Sequence, residues 1–394
     1  IAMQKYSGSE RLNIQKNWIL AFYELSRYLE SLPKEKKVIF IDELPWMDTP
    51  KSGFIAALEN FWNSWAALRD DVKLIVCGSA TSWMINNLIH SRGGLHNRLT
   101  HHLLLEPFCL RECEEYFKEY GFSYSRKQIA ECYMVMGGIP YYMSMMDRSK
   151  SLAQNIDALF FSPNAELKDE FSNLYQALFK NAGPHIKVIT ALSTKGIGLT
   201  RKEIIAATGL TDNGAFSTVL EELENCGFIR KYSPFGSNVS QNRKRLDSSS
   251  LYQMIDFYTL FYFRFIEKNS YQDEHFWTTS VNSPLHNIWC GLSFEMLCLC
   301  HLKQIKMALG ISGVQTLACS WRGKGDESKK GVQIDLLIDR KDETINLCEM
   351  KYSKDKFEIS LAEEQRLSAR LDTFRSETNT RKSVLLTLIT ANGL

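Results

Sequence analysis

The sequence predicts a multi-domain α/β protein, and three observations carry that expectation. Four apolar residues, Val38-Ile39-Phe40-Ile41, run directly into Asp42-Glu43, as a buried parallel strand ending in two carboxylates does. A second apolar run, Val72-Lys73-Leu74-Ile75-Val76-Cys77, ends in Gly78-Ser79 after one intervening helical stretch. Near the C-terminus two further runs carry Asp335 and then Glu349 among apolar neighbours. A chain of 394 residues exceeds one ordinary core, so several domains are expected. The expected divisions are residues 1–100, a partial parallel sheet; 101–183, a helical lid; 184–250, a winged helix-turn-helix; and 251–394, a second α/β unit.

Composition narrows the class. With 44% hydrophobic and 23% charged residues the chain is globular rather than disordered or fibrous. A net charge of +2 excludes a global field drawing the whole molecule to nucleic acid or membrane. No apolar run approaches the roughly 18 residues of a membrane span, and the N-terminus carries no signal-peptide pattern. The ten cysteines are scattered without C-x-x-C spacing, which points to reduced thiols and a cytoplasmic location.

The first segment starts with a helical stretch at 18–32, then the Asp42-Glu43 strand, a helix over 54–68 and the strand ending at Ser79. Strands alternating with helices imply a parallel sheet with right-handed crossovers, whose ligands sit at the carboxyl ends of the strands. Asp42, Glu43 and Ser79 all fall there. In phosphate-transferring enzymes the first acid of such a pair holds Mg²⁺, usually through water, and the second orients the attacking water. This is the Walker B half of an ATP site. The Walker A half, G-x-x-x-x-G-K-[ST], occurs nowhere in the chain, which opens Ile1-Ala2-Met3-Gln4. Two readings stand: a preceding segment carries it, or the site is degenerate. Ser79 reads either as a γ-phosphate sensor or as the cap of the next helix.

Further along come Arg92, Leu95-His96-Asn97-Arg98-Leu99-Thr100, Leu103-Leu104-Leu105-Glu106-Pro107-Phe108 and Met136-Gly137-Gly138-Ile139-Pro140-Tyr141-Tyr142. Taken in this order with Asp42-Glu43 and Cys77-Gly78-Ser79-Ala80, the chain resembles the prokaryotic AAA+ ATPases close to the STAND class. Those carry a winged helix and a C-terminal PD-(D/E)xK nuclease-like domain. The resemblance runs nearly end to end, lacking the P-loop region. It implies ATP and Mg²⁺ as cofactors, Asp42 and Glu43 as Walker B, Ser79 as sensor 1, Arg98 as a phosphate-sensing arginine, and Gly137-Gly138-Ile139-Pro140 as the mark of the lid. His96, His101 and His102 match no standard metal spacing.

Ala182-Gly183-Pro184 is expected to break the chain before three short helices and a hairpin. The second helix opens on a capping box, Thr200 with Glu203, and stops at Gly209. The third carries Phe216, Val219, Leu220 and Leu223 on one face. The wing tip, 237–250, holds Arg243, Lys244 and Arg245, the candidate DNA contacts. Residues 184–247 contain nine Lys/Arg against six Asp/Glu, a local charge of only +3, so a protein-docking role or self-association stands beside DNA contact.

The last segment opens with an aromatic run, Tyr252 to Phe265, read as an inter-domain packing seam rather than a base-stacking platform. A long helix is expected over 289–306, with Glu295 among apolar neighbours. Asp335 sits on one strand; Glu349 and Lys351 lie two residues apart on one face of the next. Two carboxylates on adjacent strands can hold Mg²⁺ while the lysine polarises water or stabilises phosphorane charge. The pattern resembles PD-(D/E)xK, an α/β restriction-endonuclease-like domain, although Gln333-Ile334 stands where that family places its proline. The resemblance adds Glu295 as a helix carboxylate. Arg322, Lys324, Lys329 and Lys330 form a basic approach. The expected function is a nucleotide-regulated, DNA-associated ATPase with a nuclease-like effector; the alternative is a non-catalytic regulator whose domains dock partners.

Overall fold

Asn17 accepts a hydrogen bond from the Leu20 amide, and this cap opens helix α1, Trp18–Ser31. The computed structural model describes residues 17–79, 81–89, 93–236, 250–269, 273–323 and 332–393. The described chain separates into two units, 1–104 and 105–394.

In the first unit, strand β1, Lys37–Ile41, pairs in parallel with β2, Val72–Val76, in the register Lys37↔Val72 to Ile41↔Val76. Between them lie a short helix α2, Leu44–Met47, and helix α3, Phe54–Ser64. A short helix α4, Thr81–Met84, follows β2. Alternation decides what is buried. Ile39, Ile41, Leu74 and Val76 pack on a core built from Phe22, Leu44, Phe54, Leu58 and Phe61. On the opposite face Val38 (62%), Phe40 (60%) and Ile75 (43%) are exposed, although parallel sheets are ordinarily covered on both sides. The helix expected over 54–68 ends at Ser64, with a 3₁₀ turn at Ala66–Leu68.

The second unit begins with helices: α5, Leu110–Glu119; α6, Arg126–Met136; α7, Pro140–Ser144; α8, Leu152–Ile156; and α9, Glu170–Leu178. Gly137 and Gly138 both take positive φ between α6 and α7. A side chain at Gly138 would lie 2.3 Å from the Phe108 carbonyl oxygen and 2.5 Å from the Tyr133 ring, so only glycine lets these segments close.

Next come α10, Ala182–Ser193; β3, Leu199–Thr200; α11, Arg201–Thr208; α12, Gly214–Asn225; β4, Ile229–Tyr232; and β5, Leu251–Met254. The strands form an antiparallel sheet in the order β3-β5-β4. The expected break at Ala182-Gly183-Pro184 is instead the first turn of α10, where the missing proline N–H has no intrahelical partner to lose. Residues 237–249, with Arg243, Lys244 and Arg245, lie outside the described residues, as do Arg92, Lys324, Lys329 and Lys330.

The aromatic run divides: Tyr252 lies in β5, and the rest becomes α13, Phe257–Phe261, extended by a π-helical turn, Tyr262–Ile266. Phe257, Tyr258, Phe261, Phe263 and Phe265 are buried in the largest core, which runs from Cys113 to Met350. Then follow α14, Phe276–Ser280; α15, Pro284–Cys300; and α16, Leu302–Ala308. The single helix expected over 289–306 is therefore two, broken at His301. There Nδ1 meets the Leu297 carbonyl at 2.9 Å, and Nε2 accepts the Leu110 amide at 3.0 Å. Burial holds the imidazole below its ordinary range, which keeps Nε2 an acceptor.

Four strands close the chain: β6, Thr316–Arg322; β7, Gln333–Arg340; β8, Thr344–Lys351; and β9, Ser383–Thr390. They lie in sequence order; β6-β7 and β7-β8 are antiparallel and β8-β9 parallel. The parallel step is made by α17, Leu361–Thr378. Leu337, Ile345 and Leu347 pack on Phe374 of α17, whereas Leu336, Ile338, Cys348 and Met350 join the core that holds Phe294, Leu297 and Cys298 of α15. The sheet is thus covered on both faces, which explains its near-continuous apolar runs. The molecule is a mixed α/β protein of several parts with a parallel pair and many helices. No helix among the described residues is long and apolar enough to cross a membrane.

Candidate functional site

Parallel pairing brings the carboxyl ends of β1 and β2 together, and three expected site residues meet there. Glu43 has φ +46°, an αL conformation unusual for glutamate, which turns the chain sharply out of β1 into α2. Its Oε2 accepts from the Ser79 hydroxyl at 3.0 Å and from the Ser79 amide at 3.3 Å. Asp42 is exposed; its Oδ1 accepts from the Glu43 amide at 3.1 Å and from the Cys77 thiol at 2.8 Å. The Asp42 carboxylate pushes the Cys77 thiol upward, so the thiol keeps its proton and donates it. Both bonds use Oδ1, and Oδ2 accepts none among the described residues.

Gly78 makes this closeness possible. A Cβ there would sit 2.6 Å from Pro45 Cδ and 3.0 Å from Met84 Sδ, so a larger residue would push β2 away from the turn that carries Glu43. The donor set is hard oxygen at a strand end, which suits Mg²⁺. Arg98 is exposed just beyond the turn at 94–97 and makes no side-chain contact with Asp42, Glu43 or Ser79 among the described residues.

The second candidate constellation is only partly assembled. Register pairs Leu336 with Cys348, and one further step along both strands puts Asp335 across from Glu349. Glu295, on α15, feels their charges: burial first, then Asp335 and Glu349, raise its carboxyl to about 7, against the opposing pull of Lys351 and Arg370. Glu295 and Asp335 both line a cleft of about 700 Å³. Asp335 also accepts from the Gln333 amide nitrogen at 2.6 Å.

Glu349, however, is only 8% exposed and already engaged. Its Oε1 takes Arg366 at 2.7 Å and Lys351 at 3.1 Å, and its Oε2 takes Arg370 at 2.5 Å. Burial opposes the charge, but these cations outweigh it and hold the carboxyl below its usual range. Glu363 joins them, bonded to Arg366 and 3.7 Å from Lys351. No group of three or more His, Cys, Asp or Glu side chains converges to hold a metal among the described residues. In this arrangement Glu295, Asp335 and Glu349 do not fit a divalent ion: a metal would have to displace two guanidinium groups from Glu349.

Arg366 and Arg370 were missed by sequence reasoning. The signal was available in their i, i+4 spacing on the helix after Glu349-Met350-Lys351, one stripe of α17 turned to the sheet.

Known proteins resemble parts of this chain. The family model described as an ATPase domain predominantly from Archaea matches residues 3–146. An uncharacterized protein of Methanocaldococcus jannaschii is 23% identical over 260 residues, which cover 66% of this chain and 56% of that protein. The match thus spans little more than half the length of that relative. No solved structure matches.

Proposed function

We propose that this chain belongs to a nucleotide-regulated, DNA-associated ATPase whose C-terminal segment is a nuclease-like effector. The observation that carries the ATPase reading is the convergence of Asp42, Glu43 and Ser79 at the carboxyl ends of two parallel strands. Mg·ATP, when bound, supplies the transferable phosphoryl group and a cation that neutralises its charge. Asp42 offers Oδ2 to the cation, directly or through water. Glu43 is held by Ser79 beside it, in position to orient a water and take its proton. Ser79, bonded to Glu43, is placed to exchange that bond for a phosphate oxygen and so report what occupies the site. Arg98 is the arginine that would have to approach for charge neutralisation.

Replacing Glu43 with Gln in the full-length protein tests this. Turnover should fall by about 100-fold or more while Mg·ATP binding by calorimetry persists. Unchanged turnover would overturn the assignment.

In this reading 182–254 is a winged helix, with Arg243, Lys244 and Arg245 as DNA contacts, and 284–390 is the nuclease-like core. A specific observation favours a second reading for that core: Glu349 is saturated by Arg366, Arg370 and Lys351. A non-cleaving docking module needs no metal there and keeps this network intact. Incubation of plasmid DNA with Mg²⁺ or Mn²⁺ separates the two. Cleavage that Glu349→Gln abolishes supports the nuclease; binding without cleavage supports the module.

A further inference from the structure

The cleft of about 700 Å³ holds a residue that the ATP reading does not use. Arg264 interrupts the aromatic run on the π-helical turn after α13, where its neighbours Phe263 and Phe265 are buried. Its Nε is buried without a hydrogen-bond partner, and among the described residues its guanidinium makes no hydrogen bond or ion pair at all. An unmet, desolvated guanidinium donor costs free energy, on the order of 1–3 kcal/mol, and such groups persist where something else meets them. Three carboxylates, Glu267, Glu295 and Asp335, line the same cleft, and none of them pairs with Arg264.

A second arginine lines the cleft from β4. Arg230 lies over the Tyr232 ring at 4.6 Å and donates from Nε to Gln253 at 2.7 Å. Its terminal nitrogens make no hydrogen bond among the described residues. The stacked ring and the Nε bond fix the plane of the guanidinium and leave its outer edge as a fork of donors. Lys268 adds a further cation to the lining, whereas Lys195, also there, is already paired with Glu203 at 3.0 Å. The volume lies within the range of small-ligand sites and is too small to enclose a duplex.

We propose that this cleft is a phosphate-binding site for nucleotide units, seated on Arg264 and Arg230, and that its ligand in the protein is a single nucleic-acid strand. The proposal rests on the DNA association argued above, which it deepens by naming the surface. Guanidinium forks take phosphate oxygens in pairs, and phosphates carry no sequence information, so recognition is of the backbone rather than of sequence. A free nucleotide carries the same phosphate chemistry, and the experiment separates the two.

The test is fluorescence anisotropy of the full-length protein with a short labelled single-stranded oligonucleotide across a salt series, with a labelled mononucleotide as a second probe. Wild type should bind the oligonucleotide more tightly than the mononucleotide. Arg264→Gln should weaken oligonucleotide binding about five- to tenfold for every sequence tried, and lower the slope of log K against log salt by about one. Arg264→Lys should keep the slope and recover only part of the affinity, because it keeps the charge and loses the fork. The melting temperature of Arg264→Gln should not fall, since no bond within the protein is lost. Lys268→Gln, at the exposed rim, should lower the slope in the same way and serves should Arg264→Gln not fold.

Wild-type affinity and slope in both glutamine variants would overturn the cleft and leave DNA association standing on another surface. Failure of the wild type to bind any oligonucleotide would overturn both. Preference for the mononucleotide, lost in Arg264→Gln, would keep the phosphate site and replace the strand as its ligand.

Discussion

At Glu349 both carboxylate oxygens already face cations, and this decides what the residue can do. A divalent ion competes for the same lone pairs, against two arginines and a lysine held by the fold. Removing Arg366 and Arg370 together, as Arg366→Met/Arg370→Met, should open Glu349 to Mn²⁺. A calorimetric titration should then detect binding that wild type lacks; wild-type binding of equal strength would refute the competition. Glu295 offers a second residue-level prediction. Its carboxyl is raised from the ordinary 4.5 to about 7, chiefly by burial. The folded state therefore holds this proton over a range in which the unfolded chain releases it. The stabilising contribution is complete below about 4.5 and is lost as pH rises through 7. Glu295→Gln should flatten the pH dependence of thermal stability between those values, and an unchanged profile would show that the side chain is solvated.

Elements form where local chemistry and tertiary packing agree, and the boundaries move where they do not. The capping box at α11 is complete: the Glu203 carboxylate accepts the Thr200 amide at 2.7 Å, and Thr200 Oγ1 accepts the Glu203 amide at 3.3 Å. Thr200→Ala should cost about 1 kcal/mol in denaturant unfolding, most of it recovered by Ser at that position. That helix, its stop at Gly209 and the strand ending in Asp42-Glu43 were legible, because each is written in neighbouring residues. The start of α10 and the break at His301 were not. Pro184 reads as a breaker until it is placed within a first turn, and the kink after α15 depends on the Leu110 amide, far away in sequence. The same holds at the sites. Asp42, Glu43 and Ser79 follow from strand ends, whereas the guanidinium clamp on Glu349 needs α17 folded back on β8, and the cleft at Arg264 needs β4, α13 and α15 together.

On the scale of the whole molecule the structure separates 1–104 from 105–394. Length leads to the expectation of several domains, while the core of the second unit, running from Cys113 to Met350, could not be foreseen from composition. Nucleotide binding has a molecule-wide signature. Mg·ATP at a hundred times its Kd should stabilise the folded protein by about 2.7 kcal/mol, read as a rise in the melting transition that Asp42→Ala removes. The bare side of the first sheet has a practical consequence. Val38, Phe40 and Ile75 form an oily strip beside strand edges that other chains can extend, the arrangement from which precipitates and filaments grow. A fragment cut to the first 104 residues is therefore expected to come out of solution as its concentration rises, and to light up a hydrophobic dye before it does.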